Sequence, residues 1–216
     1  MGMCRICGHS IEAFMSFGSM PLGHGFLRDT DFENEYFFDL APAFCPNCHS
    51  FQIIDQPDPE MMFHGEYAFF SQTSRAMAVH FEAFARSTMT TRLGPSPFVV
   101  ELGSNDGIML RHFAASDIRH LGIEPSANVA EAARAQGVNT LCAFFGVETA
   151  RRVAAEYGHA DVIQAANVMC HIPDLNSVAE GANLLLKDNG VLIFEDPYLG
   201  DVISKTSYDQ IYDEHV

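Results

Sequence analysis

Through the middle of the chain the apolar positions fall in short unbroken runs rather than in strict alternation with polar ones. The predicted strands are Phe98–Leu102, Arg119–Glu124, Val138–Cys142, Asp161–Asn167 and Gly190–Glu195. Runs of this kind suit parallel strands covered on both faces. Between them the apolar period lengthens to that of a helix. Ser126 is positioned to cap a helix over 127–136 that Gly137 ends, a second runs over 147–157 up to Gly158, and a third starts at Asp174 or Asn176 and carries Leu184, Leu185 and Leu186. Strands alternating with helices imply an α/β fold with a doubly wound parallel sheet. Upstream, Met77, Phe81, Phe84 and Ala85 lie at i, i+4, i+7 and i+8 and mark one face of a further helix within 59–93, closed by the breaker Gly94-Pro95-Ser96-Pro97. Ahead of it the aromatic, hydroxyl-rich stretch 65–74 reads as core packing and a helix cap.

Ligands of open parallel sheets collect beyond the carboxyl ends of the strands, so the residues just past each run are the candidates. The first run leads into Glu101-Leu102-Gly103-Ser104-Asn105-Asp106-Gly107 and then a helical stretch from Ile108 to Phe113. Two glycines let the backbone approach a ligand closely. The dinucleotide fingerprint is broken, because Asn105 stands where a second glycine would admit a pyrophosphate, and Asp106 would repel one. A cationic ligand without phosphate fits better, and S-adenosylmethionine is one. Its ribose needs an acceptor. Glu124 closes the second strand about twenty residues past the first glycine, the spacing at which an acidic side chain meets ribose hydroxyls. Glu101, Gly103, Asn105, Asp106, Gly107, Glu124 and Asn167 are therefore the expected cofactor residues. The plainer alternative is an ordinary glycine-rich loop.

Cysteine supplies the second signal. Cys4-Arg5-Ile6-Cys7 and Cys45-Pro46-Asn47-Cys48 are two knuckles whose thiolates can converge on one tetrahedral ion. With all four positions filled by cysteine, the expected Zn2+ is structural. The segment between, with Pro21, Gly23, Gly25 and the aromatic run 36–40, reads as a small lobe of strands and turns that needs its metal. Cys142 and Cys170 read as buried thiols. The chain thus divides into a zinc-binding lobe (1–58), a helical connector (59–95) and a cofactor-binding α/β segment (96–216).

Composition narrows the partners. Twelve Lys and Arg against 28 Asp and Glu give a formal charge of −16, which disfavours nucleic acid and anionic membrane. No apolar stretch is long enough to span a bilayer, and the first residues lack the basic-then-apolar pattern of an export signal. The expectation is a cytoplasmic protein with a small-molecule substrate.

Taken together, the knuckles, the 101–107 turn, Gly122-Ile123-Glu124-Pro125, Cys170-His171-Ile172-Pro173-Asp174-Leu175, Glu195-Asp196-Pro197-Tyr198-Leu199-Gly200 and Tyr208-Asp209-Gln210-Ile211-Tyr212-Asp213-Glu214-His215 resemble the S-adenosylmethionine-dependent C-methyltransferases of nucleotide-deoxysugar pathways. The resemblance implies a Rossmann-like class I methyltransferase sheet with an N-terminal zinc lobe, a nucleotide-linked keto-deoxysugar substrate, and further strands and a C-terminal domain beyond residue 216. The chain is accordingly expected to be a fragment of a longer protein. Methylating carbon requires an enolate, hence a base. His215 is the expected base, with Glu214 orienting it and Tyr212 donating to the enolate oxygen; His171, Tyr67 and Tyr198 are expected at the substrate. Two other readings stay open: methyl transfer to oxygen or nitrogen of another small molecule, and a non-catalytic zinc-ribbon binding module.

Overall fold

The computed structural model describes residues 1–23 and 26–215; Gly25, counted above among the lobe's turn residues, lies outside them. The described chain forms two compact units, one of residues Met1–Met62, Met169–Asn176 and Asp196–Val216, the other of Phe63–Val168 and Ser177–Glu195.

In the first unit two antiparallel hairpins carry the knuckles. β1 (Gly2–Met3) pairs with β2 (Ser10–Ile11), and β5 (Pro42–Phe44) with β6 (Phe51–Ile53). Between them β3 (Ser19–Pro21) pairs with β4 (Phe37–Asp39). The two knuckle turns use the same backbone bonds. Cys4 N–H donates to the His9 carbonyl and Gly8 N–H to the Cys4 carbonyl; Cys45 N–H donates to Ser50 and His49 N–H to Cys45. The turn requires a left-handed residue, supplied by Gly8 (φ 71°) in one knuckle and by His49 (φ 63°) in the other. A short helix, α1 (Pro59–Met62), follows.

The second unit begins before the first long strand. Ser74 caps α2 (Arg75–Thr91), its hydroxyl accepting the Met77 N–H at 3.3 Å. The face predicted from the spacing packs inward: Phe81 and Ala85 are buried against Val99, Ile108, Phe113 and Val138, with Met77 and Phe84 beside them. The stretch read from sequence as a connector thus gives α2 to the sheet unit's core.

The sheet alternates with helices along the chain: β7 (Phe98–Leu102), α3 (Leu110–Ala114), β8 (Arg119–Ile123), α4 (Ala127–Ala135), β9 (Thr140–Leu141), α5 (Val147–Tyr157), β10 (Ala160–Ala166), α6 (Leu175–Leu185) and β11 (Leu186–Glu195). All five strands are parallel, in the order β11-β10-β7-β8-β9. This is the doubly wound order, and its switch point lies between β7 and β10. β7 is buried along its whole length, as its apolar run requires.

Two local expectations change. Leu186 opens β11 instead of ending α6, because it pairs with Ala160 at the start of β10 before the register shifts. The Ser126 side chain makes no bond to α4; its backbone N–H instead donates to Glu124 Oε1 at 2.8 Å. No helix among the described residues is long and apolar enough to cross a membrane.

The first unit is completed by the 3-10 turn Met169–His171 and, after β11, by α7 (Leu199–Ser204) and the turn Tyr208–Gln210. Asn176 Nδ2 donates to the Arg5 and Ile6 carbonyls inside the first knuckle at 3.2 and 3.0 Å. Gly23 N–H donates to Asp213 Oδ2 at 3.1 Å, and Ile211 packs on the Phe38, Leu40 and Ile53 cluster.

Candidate active site

Cys4, Cys7, Cys45 and Cys48 come together, all four sulfur atoms lying within 4.8 Å of one another. The Cys4–Cys48 and Cys7–Cys45 separations are 3.5 and 3.6 Å. A tetrahedron with zinc–sulfur bonds of about 2.3 Å has edges of about 3.8 Å, so the donor set and spacing fit Zn2+. Burial resists ionisation of Cys4, but the Ser50 hydroxyl, Cys7 and Ile6 N–H groups and Gln52 pull its thiol to about 5; burial pushes Cys45 up to about 11. Four clustered thiols share their protons unequally until a cation neutralises them. Gln52, which sequence reasoning missed, is buried and supports the cluster: Nε2 donates to Cys4 Sγ at 3.2 Å and to Ser50 Oγ at 2.7 Å, while Oε1 accepts Arg5 N–H at 3.1 Å.

The 101–107 turn lies at the carboxyl end of β7, beside the switch point. Gly103 (φ 57°) and Gly107 (φ 79°) both take left-handed backbone, and a Cβ on Gly103 would come within 2.6 Å of Val168. Glu124 ends β8 and binds the turn: its Oε2 accepts Asn105 N–H at 2.9 Å. Asn167, exposed at the end of β10 with φ 54°, turns the chain there, its N–H donating to the Glu195 carbonyl at 2.8 Å.

Three carboxylates, Glu101, Asp106 and Glu124, are buried around this turn. Burial, then repulsion from Glu124 and Asp106, holds the Glu101 carboxyl well above the usual range, with the neighbouring Gln164 offsetting part of the rise. Burial also raises Glu124, against the N–H groups of Ser126 and Asn105. Among the described residues, Glu101 Oε2, Ser104 Oγ and Asp106 Oδ1 are buried without a hydrogen-bond partner. Buried acceptors of this kind call for donors, and clustered carboxylates call for a cation, so the residues present fit a ligand carrying an ammonium, a sulfonium and ribose hydroxyls.

Asn105 and Asp106 have a second task that the sequence did not reveal. Asn105 Oδ1 accepts Ser71 N–H at 2.9 Å and its Nδ2 donates to the Phe69 carbonyl at 3.2 Å. Asp106 Oδ2 accepts Gln72 N–H at 2.9 Å, and Gln72 Nε2 donates to the Asp106 carbonyl at 2.7 Å. The Asn105 side-chain amide is committed to this strap and its backbone N–H to Glu124, so Asn105 shapes the turn. Gln72 and Gln164 were not singled out from sequence; the polarity of Gln164 amid apolar neighbours could have marked it, whereas Gln72 lies among hydroxyl residues and carries no such signal.

In the first unit the last residues gather around His171. His215 Nδ1 lies 2.7 Å from the Gln210 carbonyl, so it carries the proton, and the lone pair sits on Nε2, 3.2 Å from the Tyr212 hydroxyl. His171 Nδ1 lies 2.8 Å from the Glu214 carbonyl and 3.8 Å from Glu214 Oε2. The His171 and His215 rings are 5.1 Å apart and those of Tyr212 and His215 4.3 Å. Burial, then repulsion from His171, lowers the His215 pKa despite the Gln210 carbonyl, Glu214 and Asp196; burial and the charge of Glu214 raise the Tyr212 phenol. His215, Glu214, Tyr212 and His171 are therefore brought together. Tyr198 precedes α7 with its side chain largely in solvent, and Tyr67 belongs to the sheet unit, buried against Phe63 with its carbonyl accepting from Asn128.

Residues 71–216, well over half of the chain, match the family described as "Methyltransferase domain". The chain belongs to that family. Ahead of the methyltransferase domain, residues 4–63 match the family described as "Putative zinc binding domain". A curated relative, the C-methyltransferase NovU of Streptomyces niveus, is 31% identical over 216 residues, covering 98% of this chain and 51% of NovU. The chain thus spans about half the length of that relative. Among solved structures, the plantazolicin methyltransferase BpumL, in complex with a pentazolic desmethylPZN analog and SAH, superposes with a TM-score of 0.51 at 16% identity, over 67% of this chain and 59% of its own. A SAM-dependent methyltransferase from Archaeoglobus fulgidus gives 0.52 at 13%, over 61% and 58%. These two likenesses bear on the fold, which is that of the methyltransferase α/β sheet.

Proposed function

We propose that this chain carries the cofactor site and the base of an S-adenosylmethionine-dependent C-methyltransferase acting on a nucleotide-linked keto-deoxysugar, with Zn2+ as a structural ion. The observation that carries the reading is the pinned imidazole of His215. Its Nδ1–H is fixed on the Gln210 carbonyl and its Nε2 lone pair faces the Tyr212 hydroxyl, the arrangement of a neutral base set to take a proton. The 31% identity to a C-methyltransferase supports carbon as the acceptor.

In this mechanism Glu124 would hold the ribose hydroxyls, and Glu101 and Asp106 would offset the cationic charge of the cofactor. Bound S-adenosylmethionine supplies an electrophilic methyl group. His215 Nε2 removes the proton beside the sugar ketone. Tyr212, its phenol kept protonated by burial, donates to the developing enolate oxygen, and Glu214 holds His171 beside the ring pair. The nucleophilic carbon is then the substrate's own, and the chain's contribution is to position it.

Exchange of substrate deuterium with solvent tests the carbon chemistry directly. A keto-deoxysugar nucleotide deuterated beside its ketone should lose label with the wild-type protein and keep it with His215→Gln. Methyl transfer without exchange would place the acceptor on oxygen or nitrogen instead. Calorimetric titration with S-adenosylhomocysteine checks the cofactor site: binding should weaken by about 100-fold or more in Glu124→Ala, the two ribose hydrogen bonds to a charged acceptor being worth roughly 1.5–3 kcal/mol each.

A further inference from the structure

The cluster around His215 contains a residue that the methyl-transfer reading does not use. Cys170, half-buried in the turn before His171, has its sulfur grouped with a ring nitrogen of His171 and one of His215, all within 4.8 Å of one another. These residues form the second of two His/Cys groupings among the described residues, the first being the four knuckle cysteines.

We propose that Cys170, His171 and His215 form a second, three-ligand site for a borderline-soft divalent cation, Zn2+ by the character of its donors. Two observations beyond the clustering support it. First, both imidazoles carry the outer support that metal-binding histidines require: each Nδ1–H donates to a backbone carbonyl, Glu214 for His171 at 2.8 Å and Gln210 for His215 at 2.7 Å. That hydrogen bond fixes the tautomer with the lone pair on Nε2 and raises its basicity toward an ion. Second, the donors are one sulfur and two nitrogens, a set that suits zinc, with three protein ligands and a fourth position left for water or a substrate atom. Zinc bonds of about 2.0–2.3 Å place such donors roughly 3.3–3.6 Å apart, so ligand atoms that lie within 4.8 Å of one another close by at most about 1.5 Å on binding.

The site differs in kind from the knuckles, whose four thiolates would saturate an ion. Its consequence rests on the reading of His215 as the base: an ion there takes the lone pair that would accept the substrate proton. Zinc would then hold the enzyme off without touching the cofactor turn. Binding itself is measured with neither substrate nor cofactor present, so its failure and that of the methyl-transfer reading are distinguishable.

The test uses the full chain with one zinc retained at the knuckles, titrated with Co2+ and followed by absorption. The expected result is one added Co2+ per chain, with a thiolate-to-cobalt charge-transfer band and the intense visible absorption of a four-coordinate ion. Cys170→Ser should abolish the charge-transfer band, and His171→Gln should weaken binding by more than about 100-fold, beyond the cost of losing an outer-sphere partner. No added ion overturns the proposal, and so does a band unchanged in Cys170→Ser, which marks exchange at the knuckles. Protection of Cys170 in the unmodified chain from iodoacetamide by Zn2+, read by peptide mass, decides the matter should a variant fold poorly. Protection at Cys170 supports the site and alkylation indifferent to zinc overturns it.

Discussion

Glu101 is a buried acid whose ionisation works against the fold. It lies inside β7, fully buried, with the carboxyl groups of Glu124 and Asp106 near enough to repel it and Gln164 paired beside it in register. Its carboxyl titrates well above the ordinary range, so the folded state favours the protonated form. The stability this confers is complete below the unfolded pKa, near 4.5, and is lost as pH rises through the folded value. Glutamine imitates the protonated acid. Glu101→Gln is therefore expected to raise the melting temperature at pH 7 by about 2–4 °C per kcal/mol recovered, and the gain should shrink toward pH 4. The same change should weaken S-adenosylhomocysteine binding about tenfold, because glutamine keeps an acceptor oxygen but cannot ionise to meet the ammonium of the ligand. Thermal melts at the two pH values and one titration check both halves. At this scale the sequence marked positions that spacing brings together, such as the four clustered cysteines and Glu124, placed at the end of β8 against the 101–107 turn. It hid residues whose role depends on a partner distant in the chain. Gln52 beneath Cys4 and Gln72 against Asp106 are ordinary polar side chains until folding sets them there.

The elements were legible where burial alone decides them. β7, β8 and β10 form within a residue of the apolar runs because both faces are covered, and α2 presents the face its spacing marked. Ends decided by pairing were not legible: β9 keeps only Thr140–Leu141 at the sheet edge, and β11 starts early because Leu186 meets Ala160. The strap at Phe69–Gln72 was likewise invisible, since its stretch carries no period and its bonds run to Asn105 and Asp106. Those bonds lead to a prediction for the element as a whole. Asn105→Ala removes both anchors of the Asn105 amide while leaving the backbone bond to Glu124 in place. Amides at 69–73 should then exchange with deuterium at least tenfold faster, and the sheet strands should keep their protection. Gly103→Ala should behave differently. Its Cβ would meet Val168 at 2.6 Å from a left-handed backbone, so a loss of about 1–3 kcal/mol is expected, visible in urea denaturation.

At the scale of the whole molecule, the grouping of segments gives the zinc lobe a task beyond holding itself together. The residues around His171 and His215 belong to the same compact unit as the knuckles. The ties within that unit are specific: Asn176, five residues after His171, donates to the Arg5 and Ile6 carbonyls of the first knuckle; Gly23 N–H binds Asp213; and Ile211 packs on Phe38, Leu40 and Ile53. Hairpins as short as those of the lobe bury too little apolar surface to persist without their ion. Stripping zinc should therefore do more than loosen the first sixty residues. Amides of 169–176 and 208–215 should lose protection together with those of the two hairpins, whereas 98–102, 119–123 and 160–166 should keep theirs. S-adenosylhomocysteine binding should change less than about threefold, because Glu101, Asp106 and Glu124 all lie in the sheet unit. Hydrogen exchange on the chelator-treated chain, with a titration beside it, distinguishes this from an independent lobe, for which 169–176 and 208–215 would stay protected as the knuckles unfold. A structural ion would then set whether the base is in place while leaving the cofactor site intact.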